Sequence, residues 1–142
     1  MSFDLKIKNG DLVFSNGDLQ KVVDTEKLEQ DILKICLTSV NANPLHPWYG
    51  SFLSRTVVGS AQYTNMLSQI AKTQLSTALD NLRQLQINQI SYQRVSADEQ
   101  LNAVSDISVI RNKINPMWYN VAIKVITKGF KKVETSFKVS TI

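Results

Sequence analysis

The longest periodic pattern of apolar residues lies in the middle of the chain. Apolar side chains recur there at spacings of three and four residues, which is typical of one face of an amphipathic helix. These residues are Tyr63, Met66, Leu67, Ile70, Ala71, Leu75, Ala78, Leu79, Leu82 and Leu85. The pattern predicts one long helix that continues to about Tyr92.

The polar face of this predicted helix has an unusual composition. It carries Gln, Asn, Ser and Thr with hardly any charge, and glutamines continue at positions 84, 86, 89 and 93. A helix face that meets only water carries more Lys and Glu than this one does. Because protein interfaces are depleted in Lys and Glu, the composition favours partial cover of the face by a neighbouring protein.

A shorter helix is predicted before the long one. Asp24 or Thr25 can cap its first N–H groups. The prolines at positions 44 and 47 cannot continue a helix, so we expect it to end within residues 39–43, followed by an ordered loop at 43–50 with a hinge at Gly50. The apolar residues at helical spacing, which predict the buried face, are Leu28, Ile32, Ile35 and Cys36.

Near the end of the chain the apolar period changes from helical to two residues. Two such runs flank Lys128-Gly129, which suits a tight turn, and an earlier run ends before Pro116. Three antiparallel strands with one apolar face are predicted, and we expect that face to pack on the long helix. The alternating apolar-face positions are Ile107, Val109, Tyr119, Val121, Ile123, Val125, Val133, Thr135, Phe137 and Val139.

The first residues contain a short repeat, Asn-Gly-Asp-Leu, at 9–12 and again at 16–19. Asn-Gly is the preferred pair for a tight hairpin turn, because both positions take positive φ angles. Two turns predict three short strands, whose apolar residues we expect to pack onto the rest of the chain. The whole pattern predicts an α+β fold in one domain, 1–142, with short N-terminal β-hairpins, two main helices and a C-terminal three-stranded antiparallel sheet.

Composition limits the classes of function. The 142 residues carry a net charge of +4, and no stretch approaches the ~20 apolar residues of a membrane-spanning helix or resembles a secretory signal. We therefore expect cytosolic synthesis and no membrane partner. The C-terminal lysines, including Lys124, Lys132 and Lys138, leave a basic nucleic-acid-binding domain as an alternative. It is disfavoured, because no aromatic residue is predicted beside them on the same face.

Candidate chemistry is sparse. The single histidine, His46, has no cysteine or carboxylate within nine residues, and the single cysteine, Cys36, lies in an apolar helix. Asp98 and Glu99 are adjacent, and the run 96–99 has the spacing of a capping box, which accounts for Glu99. We therefore predict no catalytic residue, metal, cofactor or small-molecule substrate. A cell-wall hydrolase using a carboxylate such as Glu99 is the least favoured alternative.

The order of elements resembles a known family. Its features here are the Gly-Asp-Leu β start, the helix with Leu-Glu-Gln-Asp-Ile-Leu at 28–33 and Leu-Thr at 37–38, and Pro-Trp-Tyr-Gly-Ser-Phe-Leu at 47–53, then a long helix and strands. This order resembles the baseplate wedge family of contractile-tailed phages, the sheath initiator or "lysozyme-like" tail component, with relatives in type VI secretion. The family's Glu-Pro-Arg motif is reduced here to Glu99 followed by Gln-Leu.

The resemblance implies a structural role in the virion, in a tail baseplate assembled in the host cytoplasm. It implies that the sheet, 104–139, accepts a strand from the tail sheath protein, a mode of binding in which main-chain hydrogen bonds supply the affinity. It also implies that the long helix and the loop hold other wedge and hub proteins. The partner-binding residues expected on this basis are Pro47, Trp48, Tyr49, Gly50, Glu99, Thr135, Phe137 and Val139.

Overall fold

The computed structural model describes residues 2–57 and 64–140, and it has the predicted α+β architecture. Short strand pairs come first, three helices follow, and a three-stranded antiparallel sheet ends the described chain. A 3₁₀ turn, Ala97–Glu99, leads into the sheet. The elements are β1 (Asp4–Leu5), β2 (Ile7–Lys8), β3 (Asp11–Leu12), β4 (Phe14–Ser15), β5 (Asp18–Leu19), β6 (Lys21–Val22), α1 (Asp24–Leu37), α2 (Leu53–Val57), α3 (Thr64–Ile90), β7 (Leu101–Arg111), β8 (Trp118–Thr127) and β9 (Lys132–Ser140).

The N-terminal strands form three arms around a small ring of backbone hydrogen bonds. The pairs are β1 with β6, β2 with β3, and β4 with β5. Between them, Lys6 N–H donates to the Gln20 carbonyl (2.9 Å), Gln20 N–H to the Val13 carbonyl (2.9 Å) and Val13 N–H to the Lys6 carbonyl (3.1 Å). The expected three-strand meander is therefore wrong. Each expected strand is divided at one of these three residues, which lie seven apart.

Both Asn-Gly turns form as predicted. Asn9 and Gly10 have φ angles of +53° and +82°, and Asn16 and Gly17 have nearly the same values. The packing expected for the apolar residues is wrong beyond the first arm. Gln30 of α1 is bonded to the first two arms: its amide nitrogen donates to the Leu5 carbonyl, and its amide oxygen accepts from the Ile7 N–H. The apolar side chains of the second and third arms are nevertheless exposed: Ile7, Leu12, Phe14 and Leu19.

Helix α1 buries the four predicted residues and begins at Asp24, where a start was predicted, but its cap and its C-terminal end differ from the prediction. The N-cap position is Val23, which offers no side-chain cap, and Asp24 is the first helical residue. The Asp24 carboxylate instead accepts a hydrogen bond from the Ser96 hydroxyl at 2.6 Å. The helix ends at Leu37. The Thr38 N–H makes the last helical bond, to the Lys34 carbonyl, which also accepts from the Thr38 hydroxyl, and the chain then turns to an extended conformation.

Gly50 holds the return of the chain after α1 and is not a hinge. It is buried with φ of +120°, and a Cβ atom there would lie 2.5 Å from the Thr38 carbonyl oxygen. Ser51 N–H donates to that same oxygen at 2.8 Å. The expected hinge is therefore replaced by a close backbone contact. The Gly-Ser pair at 59–60, which predicts a break before the long helix, lies outside the described residues.

Helix α3 confirms the predicted long helix. Leu67, Ala71, Leu75, Leu79 and Leu82 are buried along one face. Met66 is exposed, because it lies about 100° around the helix from Leu67, beyond the buried arc. Tyr63 lies outside the described residues. No described helix is long and apolar enough to cross a membrane.

The C-terminal sheet confirms the predicted strands and turn. Its order is β7–β8–β9, and the register places the apolar stripes side by side, with Val121 opposite Phe137 and on the other side opposite Val109. Helix α3 packs against β7 and α1 against β9, so one face of the sheet forms the core with the helices. The other face is mostly polar, as the two-residue period predicts, although Ile110 and Trp118 are exposed on it.

Replacement of Gly50 tests the close contact after α1. Gly50→Ala places a methyl group against the Thr38 carbonyl in a conformation that L residues rarely adopt, so we expect a loss of about 2–4 kcal/mol in the free energy of unfolding. Gly10→Ala is the matched control, since Gly10 also has positive φ but nothing within 4 Å of the added Cβ. It should lose only about 1 kcal/mol. Equal losses, measured by urea titration, would contradict the contact.

Candidate functional site

The outer edge of β9 offers an unpaired row of backbone groups. Thr127 N–H donates to the Lys131 carbonyl at 2.9 Å, which makes these two residues a hydrogen-bonded pair. Because such pairs alternate along antiparallel strands, Val133, Thr135, Phe137 and Val139 bond to β8. The intervening residues, Glu134, Ser136 and Lys138, direct their N–H and C=O groups outward. In the described part of the chain no strand pairs with this edge.

Three predicted partner-binding residues lie together on β9, with their side chains toward the core. Thr135 is buried, and Phe137 and Val139 are half-buried against the core cluster. The Thr135 hydroxyl is buried without a hydrogen-bond partner among the described residues. These side chains therefore hold the strand in place. A molecule added at the edge would meet the backbone of β9 and the side chains of Ser136 and Lys138.

The outer face of the sheet is less basic than the lysines suggest. Lys124 lies opposite Asp106 on β7 and opposite Glu134 on β9, so its charge is compensated across both neighbouring strands. The expectation that no aromatic residue accompanies these lysines is wrong at one position. Trp118 and Lys138 line the same groove at the end of the sheet. A single aromatic side chain does not make a stacking platform.

The predicted loop is ordered but only partly exposed. Trp48 is exposed and makes edge contacts with the rings of His46 and Tyr49, at centroid distances of 5.8 and 6.5 Å. Pro47 is exposed as well, and its carbonyl accepts a hydrogen bond from Asn41 N–H at 2.9 Å. Of the four predicted loop residues, Pro47 and Trp48 can therefore meet a partner, and Tyr49 and Gly50 support them from below.

Tyr49 is half-buried against the core, and its environment disfavours the phenolate. Burial raises the pKa of Tyr49 to about 12, and the nearby carboxylates of Asp31 and Asp4 act in the same direction. Burial likewise raises the pKa of the Cys36 thiol to about 12. Both groups are neutral at physiological pH, so Cys36 lacks the thiolate of a nucleophile.

Glu99 is fully buried and joins distant parts of the chain. Its carboxylate accepts hydrogen bonds from Ser96 N–H (2.7 Å), from the Ser2 hydroxyl (2.8 Å) and from Ser2 N–H (3.4 Å). Its carbonyl accepts from the Gln86 amide at 2.9 Å, and the capping box with Ser96 forms as predicted. The structure places Glu99 near the start of α1, about 20 Å along that helix from the loop. It does not bring Glu99 to the surface.

Two other carboxylates, Asp4 and Asp31, have opposite pKa shifts. Burial dominates at Asp31 and raises its pKa, although Lys27 lies 2.7 Å away. Burial acts on Asp4 in the same direction, but hydrogen bonds from Lys34 and Gln30 together outweigh it and lower the pKa. Each carboxylate thus forms an ion pair with a lysine. Within residues 2–57 and 64–140, no group of three or more His, Cys, Asp or Glu could hold a metal ion.

Sequence reasoning missed Ser136 and Lys138 at the edge. A two-residue period separates the two sets of a strand, and it correctly assigned these residues to the polar face. Which of the two sets bonds to the neighbouring strand through its backbone depends on the pairing register. The register is known only from the paired strands. The two-residue period therefore identified the polar side chains of the strand, but it did not show which backbone groups face outward.

Comparison with known proteins gives a likeness in fold. No family model matches the sequence, and no curated protein matches it. The fold is similar to that of a crystal structure from Geobacter sulfurreducens, described as a putative tail lysozyme. The TM-score is 0.61 at 10% sequence identity, over 93% of this chain and 97% of that chain. The likeness extends over nearly the whole of both chains and shows that they share a fold.

Replacement of Glu99 tests its role as a buried polar junction. Glu99→Leu leaves the donors of Ser2 and Ser96 buried and unpaired, so we expect a loss of about 2–4 kcal/mol in the free energy of unfolding. The neighbouring acid supplies the control, because Asp98 pairs only with the exposed Lys131 and Asp98→Ala should cost under about 1 kcal/mol. Similar costs for the two variants would contradict this role. Chemical denaturation measures both.

The raised pKa of Tyr49 predicts a loss of stability at high pH. A phenol whose pKa lies above its ordinary value of 10.0 stabilises the fold below that value, and this contribution disappears as the pH rises toward 12. Tyr49→Phe has no ionisable phenol, so its free energy of unfolding should fall less between about pH 9 and about pH 12 than that of the wild type. Identical declines in urea titrations at the two pH values would show that Tyr49 does not contribute.

Proposed function

We propose that this protein is a structural component of a contractile phage tail baseplate. In this role it links wedge proteins and templates the first ring of tail sheath by β-strand addition. Two independent features support the proposal. The fold is similar to that of a protein described as a putative tail lysozyme, and the sequence resembles the baseplate wedge family from its N-terminal turns to its last strands.

The outer edge of β9 is the observation that carries the proposal. Its outward N–H and C=O groups alternate with side chains that pack on the core, so the strand is held firmly while its edge stays available. An incoming sheath segment would add a fourth strand beside β9. Backbone hydrogen bonds would supply the affinity, and the side chains of Ser136 and Lys138 would lie beside those of the new strand and select its register.

The contacts with wedge and hub proteins are assigned to two other surfaces. Pro47 and Trp48 protrude from the loop after α1, and an exposed Trp is a common anchor at protein interfaces. Gln69, Thr73, Ser76 and Thr77 are exposed on α3, where an uncharged polar face suits cover by a neighbour. Glu99 contributes from inside, by holding Ser2 and the 3₁₀ turn at the start of the sheet.

A proline at the outer edge tests strand addition. Ser136→Pro removes one outward N–H, and a proline is tolerated on an edge strand where that N–H makes no internal bond. Ser136→Ala is the matched control, because it removes the hydroxyl and keeps the N–H. With purified wedge and sheath proteins, we expect the alanine variant to initiate sheath as the wild type does. The proline variant should still bind the wedge proteins but fail to initiate sheath.

Circular dichroism of both variants checks that the sheet is retained. Normal sheath initiation by a folded Ser136→Pro variant would contradict templating at this edge. Deletion of residues 135–142 is a less specific test, since it removes the buried Thr135 and part of the core together with the edge.

A cell-wall hydrolase is the second candidate, and the opposite pKa shifts of Asp4 and Asp31 are the observation in its favour. Glycosidases need one carboxyl group that stays protonated and one that is ionised. Here, however, each of the two is bonded to a lysine of α1. Glu99, the carboxylate expected for this alternative, has no exposed surface to offer a polysaccharide. We therefore propose a structural role without a catalytic step.

A further inference from the structure

An apolar surface lies at the turn between β7 and β8. We call it the tip patch, and it consists of Ile110, Ile114, Met117 and Trp118, all exposed. Ile114 has 95% of its surface exposed. Several large apolar side chains exposed together on a small protein mark a site of interaction.

The tip patch is held in an ordered turn. The Asn112 side chain accepts hydrogen bonds from Ile114 N–H at 2.9 Å and from Asn115 N–H at 3.2 Å. Arg111 Nε donates to the Pro116 carbonyl at 2.8 Å. Because these bonds fix the backbone on both sides of it, Ile114 is presented as a knob with little freedom left to lose on binding.

The surroundings of the knob are positively charged. Lys113 is adjacent to Ile114, Arg111 precedes the turn, and Lys138 lines a groove with Trp118. No acidic residue occurs in the sequence between Asp106 and Glu134. The tip patch therefore fits a surface that combines an apolar depression with negative charge.

The chain carries such a surface itself, between the N-terminal arms and α1. We call it the α1 groove. Its volume is about 230 Å³, enough for one isoleucine side chain. Glu26 and Glu29 are exposed on its rim. Their two negative charges exceed the one positive charge of Lys6, so the charge of the lining is net negative. The residues that line it include Lys6, Ile7, Val22, Glu26, Glu29 and Leu33.

The tip patch and the α1 groove lie at opposite ends of the sheet. The bond between Asp24 and Ser96 places the start of α1 beside the 3₁₀ turn from which β7 begins. The tip patch lies beyond the other end of β7, whose 11 residues span about 35 Å. A knob at one end of the sheet cannot enter a groove at the other end of the same chain.

We propose that the occupant of the α1 groove is the tip patch of a second copy of this chain. Ile114 enters the groove, and Lys113 approaches Glu26 and Glu29. The two surfaces differ, so the contact is head-to-tail, and a bound pair still has one surface of each kind available. Repetition then builds a ring or a filament. This inference is independent of the proposed baseplate role and of strand addition at β9.

Sedimentation velocity on the full chain at low salt tests the proposal. The weight-average mass of the wild type should rise over a concentration series that reaches about 1 mM, the range that detects weak contacts. Added salt should lower that mass, because it screens the charges on the two rims. Ile114→Asp should abolish the rise, and so should the double variant Glu26→Lys/Glu29→Lys. All the altered side chains are exposed, and circular dichroism confirms that the variants fold.

A mixture of these two variants gives the decisive test. The Ile114→Asp chain keeps an intact groove, and the double variant keeps an intact tip. Together they should form a heterodimer and nothing larger, although each alone is monomeric. A wild type that stays monomeric throughout, an Ile114→Asp variant that associates like the wild type, or a mixture that remains monomeric would each overturn the proposal.

Discussion

Burial of one face of the C-terminal sheet beneath α1 and α3 is the constraint on which the rest of the structure depends. The apolar residues of β8 and β9 pair in register on that face, and the long apolar stripe of α3 closes over it together with α1. In the described part of the chain no strand pairs with the outer edge of β9, whose alternate side chains pack in that core.

Buried polar groups attach the remaining segments to this core. The Gln30 amide joins the first two arms to α1, and the Gln86 amide bonds to both the carbonyl of Glu99 and the N–H of Leu101, at the point where the sheet begins. The Glu99 carboxylate collects donors from Ser2 and Ser96. Groups of this kind are costly to bury unless they are bonded, so each one specifies a single arrangement of the segments that it joins.

The proposed interactions use different physics at different places. Strand addition at β9 depends on backbone groups and tolerates many side chains, whereas the contact between the tip patch and the α1 groove depends on one apolar knob and on charge. The first is expected to change little with salt, and the second to weaken with it. The two surfaces adjoin at Lys138, which lies on the outer edge of β9 and also lines the groove beside Trp118.

The sequence by itself determined the elements whose cause is local. Helical spacing predicted α3, a two-residue period predicted the three strands of the sheet, and Asn-Gly pairs predicted both N-terminal turns, because each signal acts within a few residues. Only the tertiary structure decided the rest. Asp24 was predicted as a helix cap but accepts a hydrogen bond from Ser96. Gly50 was predicted as a hinge but lies in close contact with the backbone at Thr38. Glu99 is buried and bonded to Ser2, 97 positions away. Which backbone groups of β9 face outward followed from register. These features depend on groups that are distant in the chain and meet only when it folds, so no local pattern carries them.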